Sequence, residues 1–138
     1  MELKELCDIF NNKARIAAIK NMITTTRSHV VMIDGLAGSA SSMIFARLPR
    51  LSSPYLIIAN DLDEAGYIYN DLCQINGEHR TLIFPSGYKR DIKYGQIDAP
   101  SEILRTEVLN QWYGNDDLHC VVTYPEALAE KVASKNVI

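Results

Sequence analysis

Four short apolar runs, separated by segments with helical spacing, constrain the fold of this chain most. Each run is continuous rather than alternating, which is typical of parallel strands that are covered on both faces. The runs are Val30–Ile33, Tyr55–Ala59, Thr81–Phe84 and His119–Thr123. Strands that alternate with helices predict a parallel sheet with right-handed crossovers. We therefore expect an α/β fold: a three-layer parallel sheet of about four strands with flanking helices.

Start and stop signals place the helices between these runs. Helices are predicted over Ser41–Leu48, from Asp61 to Asn76, from Pro100 to Gly114 and from Pro125 to Lys131. In the helix from Asp61 to Asn76, one apolar face carries Leu62, Ala65, Tyr69, Leu72 and Ile75. The Asn76-Gly77 pair ends this helix. In the predicted helix from Pro100 to Gly114, the apolar face consists of Ile103, Leu104, Val108, Leu109 and Trp112.

The N-terminal residues predict a separate helical segment, residues 1–26, before the α/β unit of residues 27–138. Leu3, Leu6, Cys7 and Phe10 form one apolar stripe. A second helix follows Asn11-Asn12, and its alanines (Ala14, Ala17 and Ala18) suggest close packing against a neighbour. The final residues, Ser134 to Ile138, carry no closing signal, so we expect the lobe to continue past Ile138.

Composition excludes several classes of function. The 138 residues carry a net charge of −3, so no global basic field attracts nucleic acid. No apolar run approaches the roughly 18 residues of a membrane span. The three cysteines and three histidines are scattered without metal-ligand spacing, which predicts buried thiols, no metal site and a reducing, cytoplasmic location.

The segment Gly35–Ser42 has the skeleton of a phosphate loop without its chemistry. A functional loop reads G-x-x-x-x-G-K-[ST], whereas this one reads G-L-A-G-S-A-S-S. Gly35 and Ser42 match the first glycine and the magnesium-binding hydroxyl, but Ala40 replaces the second glycine and Ser41 the lysine. Gly38 is an additional glycine in the turn. Without the lysine no cation reaches the β and γ phosphates, so no nucleotide cofactor is expected here.

Two further patterns are weaker. Leu56–Asp61 resembles an apolar strand that ends in a magnesium-binding aspartate, but Asp61 with Glu64 is better explained as a helix cap. Ser39, Ser41, Ser42 and Ser86 lack the surroundings of a nucleophile, so no catalytic residue is predicted.

The loop Tyr88–Tyr94 mixes cations with aromatics. Lys89, Arg90 and Lys93 lie between Tyr88 and Tyr94, an arrangement that can contact phosphates and stack bases. An ordered surface loop or an interdomain contact is the other interpretation. The residues leave both interpretations open.

Several stretches, in this order and spacing, resemble the N-terminal UvrB-like module of the bacterial transcription-repair coupling factors (Mfd). They are Gly35–Ser42, Leu56–Asp61, Phe84–Tyr88, Gln96–Glu102 and Val121–Leu128. The resemblance runs from Val31 to Val132, about three-quarters of the chain. It implies a P-loop NTPase or RecA-like lobe similar to domain 1a of UvrB, with a degenerate phosphate loop. Residues 85–99 are too few for the long DNA-threading hairpin of UvrB.

The resemblance also implies a role. In this family the adjoining domain recruits UvrA, another domain grips RNA polymerase, and distant motor lobes use ATP and magnesium to translocate on DNA. The lobe in this sequence would then be a noncatalytic scaffold in transcription-coupled nucleotide-excision repair. It would pack on the motor lobes, and the UvrA-contacting residues would lie beyond Ile138. The alternatives are a nucleotide-binding, helicase-like lobe and a DNA-binding module.

Overall fold

The computed structural model describes residues 1–25, 30–88, 96–132 and 134 of the chain, and within them it forms an α/β fold. The helices are α1 (Leu3–Asn11), α2 (Ala14–Thr25), α3 (Ala40–Ala46), α4 (Leu62–Asn76), α5 (Ala99–Gly114) and α6 (Pro125–Leu128). The strands are β1 (Tyr55–Ile58), β2 (Thr81–Ile83) and β3 (Cys120–Thr123). None of these helices combines the length and the apolar character that a membrane crossing needs.

The sheet is parallel and its strand order is β1-β3-β2. Tyr55 and Thr81 both pair with Cys120, so the last strand in sequence lies between the first two. The connection from β1 to β2 passes over the position of β3 to the far edge of the sheet. The connection from β2 to β3 runs in the opposite direction, back to the centre of the sheet. Right-handed crossovers therefore put α4 and α5 on opposite faces, an arrangement compatible with three layers.

The core is centred on β3, which is buried along its whole length. The exposed fraction of its four residues does not exceed 1%. Ala65, Leu72 and Ile75 of α4 are buried against it, as their helical spacing predicts. The helix begins and ends where the sequence indicates, since Asp61 caps it and Gly77 follows it with a φ of +93°.

The predicted strand at Val30–Ile33 is wrong. These residues have no regular structure, and the side chains of Val30 and Met32 are 100% and 93% exposed. In the described part of the chain the sheet has three strands, not four. An apolar run favours a strand only when a neighbouring strand accepts its hydrogen bonds, and no neighbour of this run is present in the described sheet.

The two N-terminal helices form as predicted, but they use different contacts. Cys7 is fully buried, whereas Leu3 and Leu6 of the same stripe are 41% and 43% exposed. The predicted alanine face of α2 is also exposed, and Ile16 is the buried residue of that helix. The pair of helices is attached through α1, which contacts α3.

Two polar contacts hold α1 on α3. The buried Asn11 amide donates to the carbonyl oxygens of Cys7 (2.8 Å) and Met43 (3.0 Å). Arg47 forms an ion pair with Asp8 at 3.1 Å. The N-terminal segment is thus joined to the helix that follows the degenerate phosphate loop.

Helix α5 buries only part of its predicted face: Val108 is buried, and Leu109 and Trp112 pack partly buried against the core. Val108 is 4% exposed, but Ile103 and Leu104 are 68% and 38% exposed. The residue buried one turn before Val108 is Arg105, at 4% exposure. A charged side chain therefore occupies part of the surface that an apolar face was expected to fill.

Candidate functional site

The degenerate phosphate loop is an exposed turn before α3. Gly35 and Gly38 have φ angles of +78° and +55°, the region that glycine adopts without strain. Asp34 Oδ1 accepts a hydrogen bond from the Gly35 N–H at 2.8 Å. Because Val30–Ile33 is not a strand, the strand–turn–helix context of a phosphate loop is not formed on its N-terminal side.

Two of the three serines of the segment, Ser41 and Ser42, lie in different surroundings. Ser42 is 1% exposed, so its side chain is enclosed by the protein. Ser41 lines one end of an open groove of about 340 Å³ that follows β1 to Asn60 and Glu64. In this groove the exposed side of β1 carries Leu56 and Ile58, which are 46% and 56% exposed.

The acidic residues after β1 form a helix cap, as predicted. Asp61 Oδ1 accepts from the Glu64 N–H at 2.9 Å. The Glu64 carboxylate accepts from the N–H of Asn60 at 2.6 Å. Both carboxylates therefore satisfy amide groups at the start of α4, which accounts for the pattern without a metal ion.

A second polar cluster lies beyond the carboxyl ends of β2 and β3, and sequence reasoning missed it. We call it the Arg105–Glu130 cluster; its members are Phe84, Pro85, Ser86, Gly87, Glu102, Arg105, Ala127 and Glu130. Arg105 Nη1 lies 3.2 Å from Glu130 Oε2 and donates to the carbonyl oxygens of Pro85 (2.8 Å) and Ala127 (3.0 Å). Its guanidinium stacks over the Phe84 ring at 4.2 Å.

Glu130 connects this arginine to the segment after β2. Its carboxylate accepts from the Ser86 hydroxyl and from the Gly87 N–H, the latter at 2.9 Å. The side chains of Arg105 and Glu130 are 5% and 16% exposed, so the pair is largely desolvated. Arg105 Nη2 is buried without a hydrogen-bond partner in the described structure, which leaves the network one bond short of complete.

A weak sequence signal for the cluster existed on α5. Arg105 lies three residues before the buried Val108, so both occupy one helical face. Glu130 gives no such signal, because its partners lie 25 to 44 residues earlier in the chain. Only the topology, which brings the ends of β2 and β3 together, reveals the pair.

The cluster lies at the base of the Tyr88–Tyr94 loop. Tyr88, which is 51% exposed, forms an antiparallel bridge with Ile97. The Asp98 N–H donates to the Gly87 carbonyl oxygen at 2.8 Å, which closes the loop beneath this bridge. Lys89, Arg90, Lys93 and Tyr94 lie outside the described residues, so the predicted cationic contact surface is not described beyond Tyr88.

The cysteines and the two histidines in the described part of the chain do not come together as a set of metal ligands. Cys7 and Cys120 are buried and Cys73 is half-buried, all as free thiols. Burial raises the pKa of Cys120 to about 12. Burial also lowers the pKa of His119, although its Nε2 lies 3.3 Å from the Phe45 carbonyl oxygen. Among the residues that the structure describes, no three side chains of the metal-ligating types come together.

Comparison with protein-family models, with curated proteins and with solved structures yields no match to this chain.

Proposed function

We propose that the chain is a noncatalytic scaffold lobe of the kind found in the UvrB-like module of transcription-repair coupling factors. The observation that carries the proposal is the phosphate-loop segment itself. It keeps the first glycine of the pattern, Gly35, but Ala40 and Ser41 stand where a nucleotide-binding loop needs glycine and lysine. The turn is exposed and holds no lysine or arginine from Gly35 to Ser42, so nothing in it neutralises phosphate charge.

The positions of the other resembling stretches support the same proposal. Leu56–Asp61 covers β1 and the cap of α4, and Val121–Leu128 covers β3 and α6. Phe84–Tyr88 follows β2, and Gln96–Glu102 leads into α5. Each stretch lies at the carboxyl end of a strand or at the beginning of a helix, where α/β lobes of the P-loop NTPase and RecA-like type carry their motifs.

In a complete coupling factor this lobe would hold the adjoining UvrA-recruiting domain and pack on the motor lobes. ATP hydrolysis, DNA translocation and RNA polymerase binding would belong to other domains. The lobe would contribute position and surface rather than chemistry.

Isothermal titration calorimetry with Mg·ATP tests the scaffold assignment. We expect no binding at micromolar nucleotide concentrations, because the loop supplies no cation for the β and γ phosphates. Micromolar binding would overturn the scaffold role and favour a nucleotide-dependent enzyme. That alternative also predicts ATP turnover by the full-length protein after the motor lobes are inactivated by mutation.

A DNA-binding module is the second candidate, favoured by the loop that the Tyr88–Ile97 bridge closes. The loop presents an exposed tyrosine and contains Lys89, Arg90 and Lys93. If it binds DNA, Lys89→Ala with Arg90→Ala lowers the affinity for single-stranded DNA and flattens its salt dependence. Lys13→Ala with Arg15→Ala removes the same charge near α2 and is the matched control. Equal binding by both double variants would exclude the loop as the contact.

A further inference from the structure

Strand β1 forms an open edge of the described sheet. The strand order is β1-β3-β2, so β1 has a neighbouring strand on one side only. The N–H groups of Tyr55 and Ala59 donate hydrogen bonds of 2.8 Å to carbonyl oxygens in and next to β3. Because alternate residues of a parallel strand bond to the same side, the N–H and C=O groups of Leu56 and Ile58 face the open side. These groups have no partner strand in the described part of the chain.

The open edge of β1 is apolar and unprotected. Natural proteins usually guard such an edge with a charged side chain, a proline or a bulge. Tyr55–Ala59 contains no charged residue and no proline. The groove of about 340 Å³ runs along this edge, and Phe45, Leu48 and Ile68 add apolar surface to that of the strand. An extended apolar segment in this groove would gain both backbone hydrogen bonds and buried apolar surface.

The same chain carries a segment of this description. Val30–Ile33 is apolar and has no regular structure, and its Val30 and Met32 side chains are almost fully exposed. Its four residues match the length of β1. We propose that Val30–Ile33 of one copy of the chain pairs with the open edge of β1 in a second copy, and that two copies exchange this contact reciprocally. A two-fold axis closes such a dimer, in which both unpartnered features are covered at once.

Charge favours a second copy over the segment's own chain as the partner of β1. Asp34 directly follows Val30–Ile33, and a short turn joins it to α3. Ser41, in the first turn of α3, lines the groove together with Glu64. The chain's own segment would therefore enter the groove with Asp34 at the carboxyl end of β1. The carboxylates of Asp61, Asp63 and Glu64 lie at that end and repel Asp34.

A segment from a second copy can enter the groove in the opposite direction. Antiparallel pairing places Asp34 at the amino end of β1, near Arg50. Arg50 pairs with Asp117 at 3.5 Å, two residues before His119, whose carbonyl oxygen accepts from the Tyr55 N–H. The Arg50 side chain is 52% exposed, so its guanidinium is also accessible to Asp34. The antiparallel direction thus replaces repulsion by attraction, and it depends on neither the scaffold role nor the DNA-binding role.

The dimer is expected to be weak. Two reciprocal contacts between four-residue segments form a small interface, for which a Kd on the order of 100 µM is reasonable. At low micromolar concentrations the chain is then a monomer with Val30–Ile33 exposed. The dimer becomes the main species only as the concentration approaches the millimolar range.

Sedimentation equilibrium of the complete 138-residue chain, from roughly 10 µM to 1 mM, tests the proposal. We expect a monomer–dimer equilibrium for the wild type. Ile58→Lys and Leu56→Lys each place a charge on the open edge, and Met32→Lys places one on the pairing segment. All three replace exposed side chains, so they should fold and weaken the dimer at least tenfold. Ile103→Lys changes an isoleucine of α5 that is equally exposed, and this control should dimerise as the wild type does.

Mixing two variants shows which elements meet. Met32→Lys keeps an intact β1 edge, and Ile58→Lys keeps an intact Val30–Ile33, so a mixture can form one of the two contacts. NMR of isotope-labelled Met32→Lys should show the Leu56 amide signal move when unlabelled Ile58→Lys is added to a roughly millimolar concentration. Adding unlabelled Met32→Lys instead should leave that signal in place.

Four results would overturn the proposal. The wild type could stay monomeric at every concentration, or Ile103→Lys could weaken the dimer as much as Ile58→Lys does. Met32→Lys could dimerise like the wild type, which would mean that β1 pairs with β1 of the other copy. The Leu56 signal could also stay unmoved in the mixture. Asp34→Asn tests the direction, because it weakens an antiparallel pairing near Arg50 and strengthens a parallel one.

Discussion

The phosphate-loop segment before α3 has a clear sequence motif but few structural contacts, whereas the cluster beyond β2 and β3 has many contacts but almost no motif. Gly35–Ser42 has a conspicuous motif, yet its turn is exposed and the apolar run before it is not a strand. The Arg105–Glu130 cluster has almost no motif, yet it links three chain segments through buried polar contacts. A motif records which residues stand close in sequence, whereas the contacts that stabilise a site join residues that are distant in sequence.

The largest expected effect is the loss of Arg105. Arg105→Met removes the counter-charge of Glu130 and the donor to two carbonyl oxygens. Breaking one side of a largely buried pair costs roughly 3–5 kcal/mol of unfolding free energy, measurable by urea denaturation. Arg50→Met is the control, because Arg50 pairs with Asp117 at 3.5 Å on the surface and should cost less than about 1 kcal/mol. Similar losses in the two variants would erase the contrast.

The next largest effect comes from comparing the apolar run that forms β3 with the run Val30–Ile33, which forms no strand. Val122→Ala in β3 opens space around a fully buried side chain and should lower the unfolding free energy by roughly 2 kcal/mol. Met32→Ala alters a side chain that is 93% exposed and should change the unfolding free energy by less than about 0.5 kcal/mol. If Met32→Ala proved as costly as Val122→Ala, the run Val30–Ile33 would be packed in solution.

A smaller effect concerns pH. Burial lowers the pKa of His119 in the folded protein, so the unfolded chain binds this proton first as the pH falls. The stability that depends on neutral His119 is complete above its unfolded pKa of about 6.5 and decreases as the pH falls below that value. Thermal melts between pH 7.5 and 5 should show a shallower decline for His119→Gln. His79→Gln, at an exposed histidine, should keep the wild-type slope.

The smallest expected effect is that of repairing the motif. Ala40→Gly with Ser41→Lys restores the complete G-x-x-x-x-G-K-S pattern, but it does not supply the preceding strand. We expect calorimetry to show no micromolar Mg·ATP binding by this variant. Binding would mean that two residues alone separate the exposed turn from a nucleotide site, and the two regions would then differ in chemistry only.

Local signals predicted much of this fold. The three runs that became strands were identified to within a residue at each end, and Asp61 and Gly77 bound α4 as expected. These features depend on neighbours in sequence. A helix cap depends on the three residues that follow it, and a buried strand depends on its own apolar side chains. Pro100 in the first turn of α5 is predictable for the same reason.

The remaining features depend on distant partners and could not be predicted in this way. Val30–Ile33 has the composition of a strand, but a strand also requires an edge that accepts it. The burial of Arg105 in place of Leu104 follows from Phe84 and Glu130, which the sequence does not place near α5. The Lys89–Tyr94 contact surface stays a prediction, since it lies outside the described residues.

The central position of β3 has a consequence for the order in which the chain is made. A ribosome releases β1 and β2 well before β3, yet in the described sheet each of them pairs with β3 alone. Both strands must therefore wait, with unpaired amide and carbonyl groups, until residues 120–123 have emerged. The nascent protein is most exposed to misassembly during that interval. The interval ends when β3, a strand of four residues, has been synthesised and can pair with both.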